Sequence, residues 1–528
     1  MPKTIFHTTE KSNFILNMDL DRYRSVCGKL LFIMLTVIAG SSAIHQITYS
    51  LSSDLSDMMQ QSGFSYLLAS LLISLRSISM LFSICGVAAI IAMVVGLMRN
   101  QFSKATALPY GLVLAVLAWG IISLINSFDS EMSFFGLDGR DEGWLALLMY
   151  AAMFYLGSML RRKENLDRFF CLVMGLGIAN AIWGMLQAQP WFSFPNQFAF
   201  VEPLLYQNLR LPSGFTDSPI PFAMLLGMLL GIAIPYAMLS ESKKKRIAAL
   251  VSMGLSMLLL LKTQTVAGLI AAVVAVLEMA VLFCIKHNAI TGKRWLAPVV
   301  LAGSLLCSFG WAYVSPGLND VYQTYDNASV ANGYRLYDGG IVWDDGFYRL
   351  STAGPYSPSA EPDFDIYNAA SVLGHCWQEG LRVVGNYPML GTGPDNFTYS
   401  QLKSSMYIEY HPNAIDRPYN EYIYIAATRG IPSLLLYLAF LAVCIWYGIR
   451  NYRKTKNWLY LASLGGAASF TLTAVVGISV LTVSPLMWIL LGILVGEPIV
   501  DTPKAAMEQS KQKSVKNGTA KQKKAKRK

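Results

Sequence analysis

Charge is what this sequence has least of. Asp, Glu, Lys and Arg make up 14% of its 528 residues, against 54% hydrophobic residues. A soluble domain carries about 25% charged residues, so the shortage excludes an ordinary soluble chain and points to lipid as the main solvent. Cysteine is sparse too: there are seven, most of them in apolar runs, and only Cys376 falls in the outer segment defined below. That is no disulfide framework, and small apolar packing residues are expected instead. Histidine is scarcer still, with His7, His45, His287, His375 and His411. No His-x-x-x-His, Cys-x-x-Cys or Walker spacing occurs, and the pair Asp363 and Asp365 is a poor metal site by itself. Leu390-Gly-Thr-Gly-Pro-Asp395 is glycine-rich but does not follow phosphate-loop spacing. No metal and no cofactor are expected.

What is present is a series of long apolar runs. A membrane-spanning helix needs about 20 mostly apolar residues. The candidates are Leu30–Tyr49, Ile78–Leu97, Leu108–Asn126, Trp144–Leu160, Phe169–Gln187, Pro219–Leu239, Ile247–Leu261, Val266–Ile285, Leu296–Val314, Ile431–Ile449, Trp458–Val480 and Leu486–Val500. The expected fold class is therefore an all-α polytopic membrane protein with about twelve transmembrane helices. The basic residues fall in alternate loops: Arg22 and Arg24, Arg99 and Lys104, Arg161 to Lys163, Lys243 to Arg246, Lys286 to Arg294, Arg450 to Lys456, and the lysine tail. Cytoplasmic loops are enriched in Lys and Arg, so both termini are expected in the cytoplasm of a multi-pass cell-membrane protein.

The chain then divides into a cytoplasmic segment 1–29, helices one to nine over 30–314, an extracytoplasmic insert 315–430 between helices nine and ten, helices ten to twelve over 431–500, and a tail 501–528. The first apolar run has no small-residue cleavage pattern, so no cleaved signal peptide is expected. Much of the net charge of +10 lies in the tail. It is expected to be disordered and to contact anionic lipid, not nucleic acid.

The insert is too long for an idle connection and is full of Tyr, Trp and Phe, among them Trp343, Tyr348, Trp377, Tyr387, Phe397 and Tyr410. Aromatic faces suit sugar rings, and aromatic packing is the other reading. Isolated arginines stand in the outer segments: Arg140, Arg210, Arg335, Arg349, Arg382, Arg417 and Arg429. A guanidinium binds phosphate bidentately. A salt bridge is the alternative for each, such as Arg140 with Asp141 or Glu142. His411 titrates near neutrality and is a candidate general base, as is Glu421, which can instead pair with Arg417. Within the spans, Glu278 is costly unless paired or near water, and Lys262 can reach a headgroup or merely snorkel.

Several segments, in order, resemble the O-antigen ligase/polymerase family of membrane glycosyltransferases. They are Phe135-Gly-Leu-Asp-Gly-Arg-Asp-Glu-Gly143, Arg210-Leu-Pro-Ser-Gly-Phe-Thr-Asp-Ser-Pro219, Asn386-Tyr-Pro-Met-Leu-Gly-Thr-Gly-Pro-Asp-Asn-Phe397, and Asp416-Arg-Pro-Tyr-Asn-Glu-Tyr422 followed by Arg429-Gly-Ile-Pro432. The resemblance covers roughly Leu108 to Val500. It implies a GT-C-like helical fold and a metal-independent inverting transfer, on the outer face, of a glycan from a polyprenyl-diphosphate carrier of the undecaprenyl type to a glycan or lipid acceptor. That is ligase or polymerase chemistry in bacterial cell-surface polysaccharide synthesis. Carried over by position, Arg140 and Arg210 hold phosphate or anchor loops. Lys262, Arg349, Arg382, Arg417 and Asn420 join them as substrate-binding candidates, with His411 and Glu421 as catalytic ones. Relatives often keep a His where Tyr419 stands, an Arg where Leu373 stands, for which Arg335, Arg349 or Arg382 can substitute, and an Arg in the junction Lys262-Thr-Gln-Thr-Val-Ala-Gly268, for which Lys262 can substitute. A transporter or flippase of lipid-linked glycans and a non-catalytic assembly partner are the competing classes.

The alternating basic loops generate a direct test. In a cysteine-free background, a membrane-impermeant maleimide added to whole cells is expected to label a cysteine at position 357 and to spare one at position 245. The reverse pattern would invert the topology.

Overall fold

The computed structural model describes residues 18–59, 78–99, 106–137, 140–189, 211–216, 218–286, 292–313, 341–344, 347–350, 366–397 and 417–499. Its helices are α1 (Leu20–Met59), α2 (Ile78–Met98), α3 (Ala107–Ile125), α4 (Ser130–Phe135), α5 (Trp144–Ser158), α6 (Lys163–Gln187), α7 (Pro219–Leu239), α8 (Lys243–Leu260), α9 (Val266–Lys286), α10 (Leu296–Tyr313), α11 (Ile366–Asn386), α12 (Glu421–Thr455), α13 (Leu459–Thr473) and α14 (Ser484–Val495). Among the described residues, eight helices are long and apolar enough to cross a membrane, and α5, α10, α13 and α14 are shorter apolar helices. The protein is a helical, membrane-embedded one.

The all-α expectation meets one exception. Strands β1 (Ile341–Asp344) and β2 (Phe347–Leu350) pair antiparallel, Ile341 with Leu350 and Asp344 with Phe347. The signal was present in the sequence, since Asp345-Gly346 between aromatic and β-branched residues favours a two-residue hairpin turn.

Some boundaries also move. The first helix begins at Leu20, ten residues before the expected start, because the charges in its first turns find partners: Arg24 pairs with Glu497 at 2.9 Å and Asp21 with Arg162 at 3.0 Å. The tenth expected span, from Ile431, is preceded by a helical segment that begins at Glu421, where the Asn420 side chain accepts from the Tyr422 and Ile423 amides and caps it, and that breaks at Gly430. The eleventh ends at Thr473, and residues 474–483 run non-helically into α14.

Helix α7 is the axis of the bundle, buried along nearly its whole length. Lipid gives helices no hydrophobic reason to associate, so close packing through small residues does the work. Gly231 of α7 abuts Gly465 of α13, where a methyl group on either would meet the other's backbone within about 2.5 Å. Helices α5 and α14 cross in the same way, through Gly157 against the Ile489 carbonyl and Gly492 against the Phe154 carbonyl. The start of α5 lies by Arg140, and its end leads to Arg161, which pairs with Glu497 at 2.7 Å. Fifteen helical residues separate these ends, about 22 Å at 1.5 Å per residue. Arg24, Arg161 and Arg162, expected on one side of the membrane, thus gather at one end of the bundle. Lys245, expected on that side too, pairs with Asp167 near the start of α6. Arg140 and Glu421 lie at the other end.

The crossing of α5 and α14 sets an expected outcome. A Cβ at Gly157 would stand 2.3 Å from a backbone oxygen, whereas one at Gly111 of α3 meets nothing within 4 Å. Gly157→Leu is expected to destabilise the protein by about 3 kcal/mol or more, read as a lower melting temperature in detergent, and Gly111→Leu to leave it near wild type. Equal melting temperatures would remove this crossing from the packing account.

Candidate functional site

The site is organised by a break in α12. Gly430 departs from helical geometry (φ 83°, ψ 163°), with Pro432 just beyond. A broken helix leaves carbonyls and amides without partners, and in low dielectric each must be satisfied. The loop 387–397 supplies most of them. The Thr392 and Gly393 amides donate to the Ala427 and Thr428 carbonyls at 3.0 and 2.8 Å, and the Ile431 amide donates to the Pro388 carbonyl at 2.8 Å. From α3, Trp119 Nε1 donates to the Arg429 carbonyl at 3.0 Å, and the single Ser123 hydroxyl proton is shared between the Leu390 and Thr428 carbonyls at 2.6 and 3.1 Å. The loop can come this close because Gly391 (φ 67°) has no side chain: a Cβ there would lie 2.3 Å from the Thr428 backbone.

Docked in this way, the loop carries Asp395 into the interior in a left-handed conformation (φ 58°). The Asp395 carboxylate accepts from the Leu137 amide at 2.7 Å and from the Tyr424 hydroxyl at 2.5 Å, and it forms a buried ion pair with Arg140. Arg140 Nη2 also donates to Tyr424 OH at 3.0 Å. The sequence offered Asp141 or Glu142 as partners for Arg140. The structure gives it Asp395 instead, because the loop brings a carboxylate from 255 residues away.

Next to this pair lies a cavity lined by Glu142, Tyr150, Asp395, Glu421, Tyr424, Arg429, Tyr437, Ser479 and Trp488, enclosing about 40 Å³. One water needs only 10–15 Å³ measured this way, so the space accepts a few waters or one reacting group, not a whole glycan. Its floor is aromatic: Trp488 stacks on Tyr150 at 6.1 Å and on Phe440 at 5.3 Å. Glu421 at the start of α12 has both oxygens occupied, by the Ser479 amide at 2.7 Å and the Ser479 hydroxyl at 2.9 Å. This displaces the suggested pairing of Glu421 with Arg417.

Glu142 differs. Its Oε1 accepts from Tyr150 OH at 2.9 Å, and Oε2 has no hydrogen bond among the described residues. Burial, helped by the negative charge of Glu421 and opposed by the guanidinium of Arg417, pushes the Glu142 carboxyl up to about 8. Arg417 is itself buried. Arg429 interacts electrostatically with Tyr437 across the cavity and has no ion-pair partner among the described residues.

The remaining expected residues are distributed as follows. Asn420 caps α12. Arg382 pairs with Glu379 on α11 at 2.5 Å and is not among the cavity residues. Lys262, in the turn Leu261–Thr263, lies over the Trp311 ring at 5.4 Å, away from the cavity. Arg349 is in β2, and nothing of its side chain is described. Arg210 and His411 lie outside the described residues, although the turn after Arg210 is held by buried amides, with Gln187 Oε1 accepting from the Gly214 amide at 2.8 Å and Asn180 Oδ1 from the Phe215 amide at 2.7 Å. Glu278 Oε2 is buried in the bundle without a hydrogen bond among the described residues. Sequence reasoning passed over Asp395 and Glu142 as site residues. The only cue was that each stands in a glycine-containing outer loop within a family-like motif. Among the described residues, no cluster of three or more His, Cys, Asp or Glu can hold a metal ion. The chain matches no protein-family model and no curated protein.

The buried ion pair yields a measurable expectation. Asp395→Ala leaves Arg140 charged in the interior and is expected to cost about 3–5 kcal/mol, seen as a lower melting temperature. The double change Arg140→Met with Asp395→Ala is expected to recover part of that loss. A single variant as stable as wild type would show that the pair does not hold the loop.

Proposed function

We propose that the chain is a membrane glycosyltransferase of the O-antigen ligase type, moving a glycan from a polyprenyl-diphosphate carrier to an acceptor on the outer face. The observation that carries this reading is the cavity. Three carboxylates and Arg429, from segments far apart in sequence, converge on one small enclosed space at one end of an apolar bundle, with Arg417 acting electrostatically on Glu142. In this reading the eight long helices and the four shorter ones all cross the membrane, in a GT-C-like arrangement with cytoplasmic termini, and the site faces outward. Arg429 and Arg417 face the leaving diphosphate. Arg140, committed to Asp395 and Tyr424, anchors the loop. Breaking the anomeric C–O bond leaves the electron pair on the diphosphate, and guanidinium groups in a site of low dielectric stabilise that charge. No metal is required by this step.

The broken α12 is the one observation that favours the transporter alternative, because discontinuous helices mark substrate sites in transporters. Here the backbone groups freed at the break are taken up by the protein's own loop and by α3, so they are not open to a passing substrate.

The test is transfer by purified protein in detergent or nanodiscs, with a polyprenyl-diphosphate glycan as donor. Product is expected with chelator present. Arg429→Lys is expected to lower turnover about 10²–10³-fold while the melting temperature holds, since lysine lacks the bidentate fork. Movement of donor across a bilayer without product would favour the transporter, and loss of activity on chelation would remove the metal-independent scheme.

A further inference from the structure

We infer that Glu142 is the group that takes the proton from the acceptor hydroxyl. The inference rests on the glycan-transfer reading above and identifies a residue that the sequence pattern did not single out. Three carboxylates line the cavity. Asp395 has both oxygens engaged, by an ion pair and two hydrogen bonds. Glu421 has each oxygen engaged by Ser479. In both, each oxygen already holds a donor of the protein, so neither presents an unengaged oxygen to an incoming hydroxyl. Glu142 alone of the three has one oxygen fixed, by Tyr150, and the other without a hydrogen bond among the described residues. It lines the cavity directly. Fixing Oε1 orients the carboxyl, and the free Oε2 is the atom available to an incoming hydroxyl.

The acceptor oxygen forms a bond to the anomeric carbon while its proton passes to Glu142 Oε2. The bond from that carbon to the diphosphate oxygen breaks, and its electron pair leaves on the diphosphate, facing Arg429 and Arg417. Glu142 later returns the proton to water. A diphosphate is a good leaving group and needs no proton, so a single base suffices.

The groups facing Glu142 set its strength as a base. Glu421 of α12 and Asp395 of the docked loop oppose its ionisation, while Arg417 and the Tyr150 hydroxyl of α5 favour it, and burial outweighs all four. With the carboxyl pushed up to about 8, roughly one molecule in ten is ionised at pH 7. The rate should therefore rise about tenfold per pH unit on the acidic side and level off near pH 8. A bound anionic diphosphate adds negative charge, so the limb in kcat should lie at higher pH than the limb in kcat/KM.

The experiment is initial-rate transfer from the polyprenyl-diphosphate glycan by the full chain between pH 5.5 and 9.5, with donor binding measured in parallel. Glu142→Gln is expected to lower kcat at least 10²-fold, abolish the acidic limb and leave donor binding nearly unchanged. Glu142→Asp should keep measurable activity. Tyr150→Phe removes the hydrogen bond that favours the ionised form, so it should move the limb to higher pH, a response that loss of packing alone would not give. His411→Ala should retain the limb in place, and Glu421→Gln should retain it displaced to lower pH, since it removes a charge that opposes ionisation of Glu142. Transfer by Glu142→Gln within threefold of wild type with the limb intact would overturn the inference and leave the glycan-transfer reading standing. So would loss of the limb in His411→Ala or Glu421→Gln. Absence of transfer by wild type at every pH would overturn both.

Discussion

The structure of the site depends on closing the break in α12. Once Gly430 interrupts the helix, the carbonyls of Ala427, Thr428 and Arg429 have to be satisfied within the protein, because lipid offers them no donor. Only a segment able to press its own backbone against them can do this, and residues 387–397 qualify through glycines at the contact points. That docking places Asp395 beside Arg140 and Tyr424, which in turn fixes Leu137 and the turn leading into α5. The cavity is the space left between these fixed parts. Its position follows from backbone hydrogen bonding before any side-chain chemistry enters.

Three carboxylates then take three different conditions from their surroundings. Asp395 gains a guanidinium and two donors, Glu421 gains two donors from a single serine, and Glu142 gains one donor and a like-charged neighbour. The residue type is nearly constant while the environment is not. A buried charge with a full set of partners is rigid and costly to disturb. One that lacks partners stays close to neutrality and can exchange a proton in the ordinary pH range.

The membrane part of the fold was legible because the apolar runs are long and the charge between them is sparse. Each expected span coincides with a helix, and the errors have physical causes. The first helix begins early, since Arg24 finds a partner and so need not lie outside a helix, and a separate helical segment from Glu421 to the break at Gly430 precedes the tenth span. The eleventh stops short, since Gly477 and its apolar neighbours pack as an irregular segment whose Ala474 and Gly477 carbonyls accept from the Glu421 amide at 2.9 Å. The pairing of Arg140 with Asp395 was illegible, because no local pattern reports a contact between residues 255 apart in the chain. Glu142 was visible but read only as a neutralising neighbour. Its character comes from Glu421, Arg417 and Tyr150, which a single sequence does not place next to it.

Helices α5 and α13 have 15 residues each and α14 has 12, so they reach about 22, 22 and 18 Å. A bilayer's hydrocarbon core measures about 30 Å. Each has one end by the cavity, at Trp144, Thr473 and Ser484, and the other toward the cluster around Glu497, where Arg161 follows α5, Glu497 follows α14 and Tyr460 OH of α13 accepts from the Ile499 amide at 3.2 Å. If that cluster lies at one hydrocarbon border, the cavity lies roughly 10 Å beneath the other. These three helices are thus shorter than the 21-residue α7 and α9 of the same bundle. In that placement a reacting group arriving from water has to descend below the hydrocarbon border to reach Glu142 and Arg429.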